Sequence, residues 1–316
     1  MPPTDITHPQ SLTDAVISNR LEKKVFRHTK ERVIEFILFL AGLSAVATTV
    51  AIVCILLYES ATFFRTVSVV EFLTGTVWTP LFENPKYGIL PLVSGTLTVA
   101  FVALAVAIPM GTIVAIYLSE FAPHWVRETV KPFLELLEAV PTVVFGYFAL
   151  LFVTPLLQKF YPDLSGFNML APGLVIGIFI IPYISSVAED AMRAVPMSMR
   201  EGSYAMGATR FQTAVRVIAP ASASGIIAAY ILAISRAIGE TMVVAIAAGL
   251  QPTFTFNPLE PAATITAYIV QVALGDLPHG SIGYQSIFAA GLVLVLMTLG
   301  FNVFGHYMRR RYREVY

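Results

Sequence analysis

Charge is missing from long stretches of this chain, and its absence constrains the fold more than any other feature. No Asp, Glu, Lys or Arg lies between Lys86 and Glu120, Glu138 and Lys159, Asp163 and Glu189, Arg216 and Arg236, Glu240 and Glu260, or Asp276 and Arg309. The run from Val33 to Tyr58 carries only Glu35. A helix of about 20 mostly apolar residues crosses a hydrocarbon core of roughly 30 Å. The windows therefore predict an all-α polytopic membrane protein with six transmembrane helices, at about 33–58, 90–119, 134–156, 170–190, 220–250 and 284–307. Pro91, Gly95, Pro109, Gly111, Pro141, Gly146 and Pro182 fall inside them. In a bundle, neighbouring helices can satisfy the backbone groups that such residues free.

Composition excludes the main competitors. Hydrophobic residues make up 56% of the 316 and charged residues 13%, against about 45–50% and about 25% in soluble domains. An ordinary soluble enzyme and a disordered chain are both excluded. Twenty basic residues balance twenty acidic ones, so no global field points to nucleic acid. The single cysteine, Cys54, allows no internal disulfide and reads as a small buried hydrophobe.

Lys and Arg set the expected orientation. With both termini inside, the cytosolic segments hold sixteen of them and the outer segments three, Arg65, Lys86 and Lys159. That asymmetry is the positive-inside pattern. It divides the chain into a cytosolic tail over 1–32, a transmembrane domain over 33–307 and a cytosolic tail over 308–316. The N-terminal tail suits a short amphipathic helix around 12–30. Its length and polarity ahead of the first apolar run argue against a cleaved signal. The apolar stretch 262–275 is shorter than a span and is expected to form a surface or re-entrant helix.

The long cytosolic loop, 191–219, reads as a compact element. Its spacing suits a short helix over about 201–206, a turn at Gly207, and a helix restart with Pro220 in its first turn. An ordinary helical hairpin has the same spacing. The loop resembles the signature of ATP-binding-cassette (ABC) importer permeases: Glu-Ala-Ala, three residues, Gly, nine residues, Ile, any residue, Leu-Pro. Glu201, Gly207 and Pro220 match, while Gly202, Ser203, Val217 and Ala219 depart conservatively. The resemblance implies the type I ABC importer permease fold. It also implies that Glu201, Gly202, Ser203, Tyr204, Ala205, Met206 and Gly207 dock on a nucleotide-binding subunit.

Arg236 and Glu240 are the only charges of the fifth span. At 1.5 Å per residue Arg236 lies about 24 Å beyond Pro220, within the bilayer. Positions i and i+4 share a helix face. An intramembrane arginine costs at least about 2.5–3.5 kcal/mol on insertion scales and must face protein or water. Two readings stand side by side. The pair is a buried structural couple, or it lines an anion path in which Glu240 weakens the bidentate grip of Arg236. The stretch from Ser235 to Met242 resembles the arginine–glycine–glutamate–threonine signature of the phosphate-specific (Pst) importer permeases. Residues 135–147 and 264–288 resemble them too. Phe72, Trp78 and Pro80 in the long first outer segment resemble the PstC type more than PstA.

The resemblance implies a non-catalytic subunit in the plasma (inner) membrane of a bacterium that imports inorganic phosphate. Arg236 and Glu240 would line the substrate pathway. The implied partners are a PstA-type permease, two PstB-type ATPase subunits, an external PstS-type binding protein and membrane lipid, with no nucleic acid. ATP and Mg would be bound on the ATPases, since the chain has no G-x-x-x-x-G-K-[ST] loop and needs no cofactor of its own. A permease for sulfate, molybdate or an amino acid is the alternative, and a secondary transporter a more distant one.

Weaker signals complete the reading. His8, His28, His124, His279 and His306 are too scattered to suggest a metal site. Glu135 and Glu138 are expected at the start of the third span, facing its N-terminal dipole. Glu189 and Asp190 are expected to face water. Arg309, Arg310, Arg311 and Arg313 read as an anchor to anionic lipid.

Overall fold

The structure, a computed structural model, describes residues 9–311 except Leu81, Glu83, Asp276 and His279, with side chains from Lys30 onward apart from that of Glu135. His8 and Arg313, and the side chain of His28, lie outside the described residues. The chain divides into two units, residues up to Ile55 and residues from Leu56 onward.

Helix α1 runs unbroken over Pro9–Phe63, so tail and first span form one 55-residue helix rather than a short helix and a separate span. No proline or glycine interrupts residues 10–41, and nothing local stops the helix there. The hydroxyls of Ser44, Thr48 and Thr49 donate to the carbonyls of Ala41, Ser44 and Ala45, which satisfies them within an apolar run. Cys54 is exposed on this helix, not buried as expected.

The second unit begins with the end of α1 and a short helix α2 (Val69–Thr74). Helix α3 (Leu90–Ile116) and helix α7 (Leu170–Arg193) form its centre. Glycine allows them to meet backbone to backbone: a Cβ on Gly177 would lie 2.7 Å from the Ala103 carbonyl oxygen. Helix α11 (Ala223–Ile238) joins them through buried Ala229, Ala233 and Ala237. Helix α14 (Ile282–Arg311) closes the bundle, with Gly305 against Ile231.

Between these lie shorter helices: α4 (His124–Ala139), α5 (Thr142–Phe148), α6 (Thr154–Gln158), α8 (Met197–Ala205), α9 (Arg210–Thr213), α10 (Ala219–Ala221), α12 (Met242–Ala247) and α13 (Ile265–Ala273). Among the described residues four unbroken helices are long and apolar enough to cross a membrane, or up to six spans if two bent pairs each count as one. One pair bends by 86° between α4 and α5–α6. Val140, just before Pro141, is extended at φ −67° and ψ 128°, the conformation that proline imposes on its predecessor. The expected third span, 134–156, is thus cut: residues 134–139 belong to α4. The other pair bends by 74° at Ser222, between 210–221 and α11.

Three π-helical turns, Tyr117–Phe121, Ala149–Val153 and Ala214–Ile218, each end two residues before a proline (Pro123, Pro155, Pro220). Proline has no N–H to give the carbonyl four residues back. The wider turn re-routes the ladder: Ala122, Thr154 and Ala219 donate five residues back to Tyr117, Ala149 and Ala214.

The stretch 262–275 folds as α13, which buries Ile265, Thr266, Ala267, Tyr268 and Val272. It is therefore an inward-packed element and not a surface helix. Tyr268 meets Trp78 edge to face at 5.0 Å, and Trp78 joins Phe72, Tyr87 and Phe63 in one aromatic cluster. Geometry of this kind adds about 0.5–1.5 kcal/mol per pair beyond burial. Phe72 and Trp78 thus fasten the segment between α1 and α3 to the bundle. Burial also raises the Tyr87 hydroxyl above its ordinary pKa.

Candidate functional site

The helix that carries Arg236 ends two residues later. Gly239 closes α11, and α12 begins at Met242. The continuous helix expected over 220–250 is therefore broken at 239–241, and Glu240 stands in the break. Its carboxylate accepts the Val243 N–H at 3.4 Å, at the start of α12. Its backbone carbonyl accepts the Thr266 hydroxyl at 2.7 Å, tying the break to α13. Glu240 is buried.

Arg236 is held differently. Its Nη2 lies 4.0 Å from the nearer Glu240 oxygen, too far for a hydrogen bond. The guanidinium instead sits 5.3 Å from the ring centre of Phe179 and 5.7 Å from that of Tyr183, both on α7. Phe145 of α5 stacks on Phe179 at 5.4 Å. Cation–π contacts of this type contribute about 0.5–2 kcal/mol each. The side chain is 39% exposed, and its Nε is buried with no hydrogen-bond partner among the described residues. The cation is thus placed by apolar faces while its donors are left largely unused, an arrangement able to receive an oxyanion.

The 191–219 element is built on two anchors. Arg200 of α8 is buried and donates to the carbonyls of Met192 and Val195 and, at 3.0 Å, to Glu120 of the first π turn. Ser203 hydrogen-bonds Thr213 at 2.9 Å. These contacts fix one face of α8. The other presents Glu201, Gly202, Tyr204, Ala205 and Met206 to the exterior. The helix starts at Met197, four residues earlier than expected. Gly207 adopts φ +82°, where only glycine is unstrained. The chain then restarts at Thr209, whose hydroxyl and Gln212 form a reciprocal cap.

Glu189 overturns one expectation. Asp190 faces water as expected, but the Glu189 side chain has 0% exposure. It lies 2.7 Å from Lys131 Nζ and 3.4 Å from both Arg127 Nε and Arg193 Nη1. Arg127 also donates to the carbonyls of Leu118 and Ser119. The Ser119 carbonyl is the acceptor that Pro123 leaves without a helical donor. One cluster therefore joins the π turn after α3 with α4 and α7. Burial pulls the Lys131 ammonium down, but hydrogen bonds to Asp190 and Glu189 outweigh it and hold its pKa above the ordinary value. Glu135 and Glu138 are corrected too. They lie near the C-terminal end of α4, where a helix dipole does not favour a carboxylate.

Sequence reasoning missed Glu120, Arg200, Glu189, Phe179 and Tyr183 as members of these constellations. One signal was available for the two acids. Each stands close to the C-terminal end of a long apolar helix, where the dipole is unfavourable and a cationic partner is needed. The structure brings Arg236 and Glu240 into a long 4.0 Å ion pair without a hydrogen bond, and keeps residues 201–207 together on one exposed element.

Residues 107–314 match the family described as "Binding-protein-dependent transport system inner membrane component". The probable ABC transporter permease protein YqgH of Bacillus subtilis (strain 168) is 36% identical over 245 residues, covering 78% of this chain and 79% of that protein. The phosphate transport system permease protein PstC of Xylella fastidiosa (strain 9a5c) is 31% identical over 262 residues, 77% of this chain and 79% of its own. Among solved structures, a bacterial ABC transporter for import of the acidic polysaccharide alginate aligns with a TM-score of 0.63 at 19% identity, over 93% of this chain and 100% of that one. The MetNI methionine ABC transporter aligns at 0.52 and 16%, over 72% and 94%. These two show the fold alone. The family match over residues 107–314 and the 36% identity to the Bacillus subtilis permease, with the helical architecture, establish that the chain belongs to the binding-protein-dependent inner-membrane component family, as a multi-pass, non-catalytic permease subunit of an ABC importer.

Proposed function

We propose that this chain is the PstC-type permease of an inorganic phosphate importer, and that Arg236 is its anion-contacting group. The observation that carries the reading is the guanidinium laid on Phe179 and Tyr183, with its Nε unpaired and no hydrogen bond to Glu240. A phosphate offers several oxygens to a planar fork of donors. Glu240, 4.0 Å away without a hydrogen bond to the guanidinium, tempers the cation's grip, so the anion can be released as well as accepted. The relatives named as phosphate permeases support the same substrate.

In this reading Arg236 and Glu240 lie by a path shared with a PstA-type permease. An external PstS-type protein delivers phosphate. Two cytosolic PstB-type subunits bind ATP with Mg and press on residues 201–207, with both chain termini on the same cytosolic side. The push on α8 travels through Arg200 to Glu120 and α3. The test is phosphate uptake by assembled complexes carrying Arg236→Gln or Glu240→Gln. Uptake near normal in both removes the pathway role. Competition by sulfate, molybdate or amino acids as strong as by phosphate assigns a different substrate.

A further inference from the structure

We propose that the groove between the start of α11 and the end of α14 is a binding site for one anionic phospholipid. Its wider part, about 560 Å³, is lined by Ser224, Gly225, Ala228, His306, Arg309 and Arg310. It continues into a second pocket of about 340 Å³ that shares Ala228, His306 and Arg309 and adds Ile231, Leu232 and Asn302. The floor between them is set where Gly305 meets Ile231, a contact that only a residue without a side chain permits.

The groove is polar at one end and apolar at the other. No carboxylate pairs with Arg309 or Arg310 among the described residues. The Arg309 Nη2 contacts only the His306 Nδ1, at 3.1 Å. Two guanidiniums and the Ser224 hydroxyl thus face the same opening. From Ser224 to Leu232 the groove follows α11 for about 12 Å. Leu232 at the far end is exposed, so the groove opens there onto apolar surface. A free phosphate ion would use the cationic end and leave the apolar end empty. A phosphodiester headgroup with an acyl chain fills both. The basic end of α14 is expected on the cytosolic side, the leaflet that carries anionic lipid.

The experiment uses the full chain purified in its transporter complex. The complex is delipidated and then titrated with phosphatidylglycerol or phosphatidylcholine, read by native mass spectrometry. A diazirine-bearing phosphatidylglycerol maps the contact. The wild-type complex should retain phosphatidylglycerol preferentially and crosslink within 224–232 and 302–310. The Arg309→Gln/Arg310→Gln protein should lose roughly thirty-fold in that preference, the contribution of two surface cations. Ala228→Phe leaves both cations in place and fills the groove, and it should abolish the crosslink. Equal retention of the two lipids, an unchanged crosslink in Ala228→Phe, displacement of the lipid by millimolar inorganic phosphate, or protection of the groove by the second permease would each overturn the site.

Discussion

Glu189 contributes more through its surroundings than through its own charge. Its carboxylate is fully buried among Arg127, Lys131 and Arg193, and two of these also hold other groups in place. Removing one member of a buried ion cluster costs about 3–5 kcal/mol, because the remaining charges lose their partner. Lys131 and Arg193 are 26% and 50% exposed, so water recovers part of that and the cost falls toward the lower end. Glu189→Ala should lower the melting temperature of the purified complex clearly, and Glu189→Gln by less. An unchanged melting curve for Glu189→Ala refutes the assignment. The raised pKa of Lys131 gives a second expectation. The stability it contributes is fully present below its ordinary value of 10.5 and is lost as pH rises through the higher folded value. Lys131→Met should therefore remove the alkaline loss of stability contributed by this site, as read by melting between neutral and strongly alkaline pH. Glu189 was visible in the sequence only as the end of an uncharged window. Its i+4 partner Arg193 is local, but its pairing with Arg127 and Lys131 depends on the packing of α4 against α7, which no local pattern encodes.

At the scale of elements, α8 is held by Arg200 and not by its own amphipathicity. A nine-residue helix is marginal alone. The force-bearing role proposed for it depends on an anchor that does not yield. Arg200→Ala should leave ATP hydrolysis by the complex active while the phosphate moved per ATP falls about ten-fold or more, the scale of losing a buried charge-assisted contact. Glu201→Arg, on the exposed face, should uncouple the complex by a different route, at the docking contact itself. Tight coupling in Arg200→Ala would show that α8 is positioned from outside the chain. The short helix, the Gly207 turn and the restart were legible because glycine and capping residues act locally. The break at 239–241 was not. Gly239 alone does not end an apolar helix, and what ends this one is tertiary: Glu240 is drawn to Thr266 and to the start of α12. The π turns are an intermediate case, since their prolines were in view but the re-routed ladder was not.

For the whole molecule, six apolar windows were enough to specify an all-helical membrane bundle, because the bilayer penalises an unpaired backbone wherever it occurs. The same penalty does not say what a polar side chain inside the bundle is for, and Arg236 is where that matters. If it served chiefly to balance Glu240, a lysine would serve as well and loss of the acid would strand the cation. The geometry argues otherwise. The two groups are 4.0 Å apart with no hydrogen bond between them, the second Glu240 oxygen accepts at the start of α12, and the guanidinium rests on two rings. Arg236→Lys should therefore assemble and melt like the parent, yet lose most phosphate uptake. A lysine keeps the charge but not the planar fork or its stacking on aromatic faces. Glu240→Gln should do the reverse in part: lose about 0.5–2 kcal/mol of stability through a weakened cap on α12, and retain measurable uptake. Measuring uptake and melting temperature on the same two preparations separates the cases. Full transport by Arg236→Lys would mean that charge alone suffices at this position, and the anion would then be recognised elsewhere in the importer.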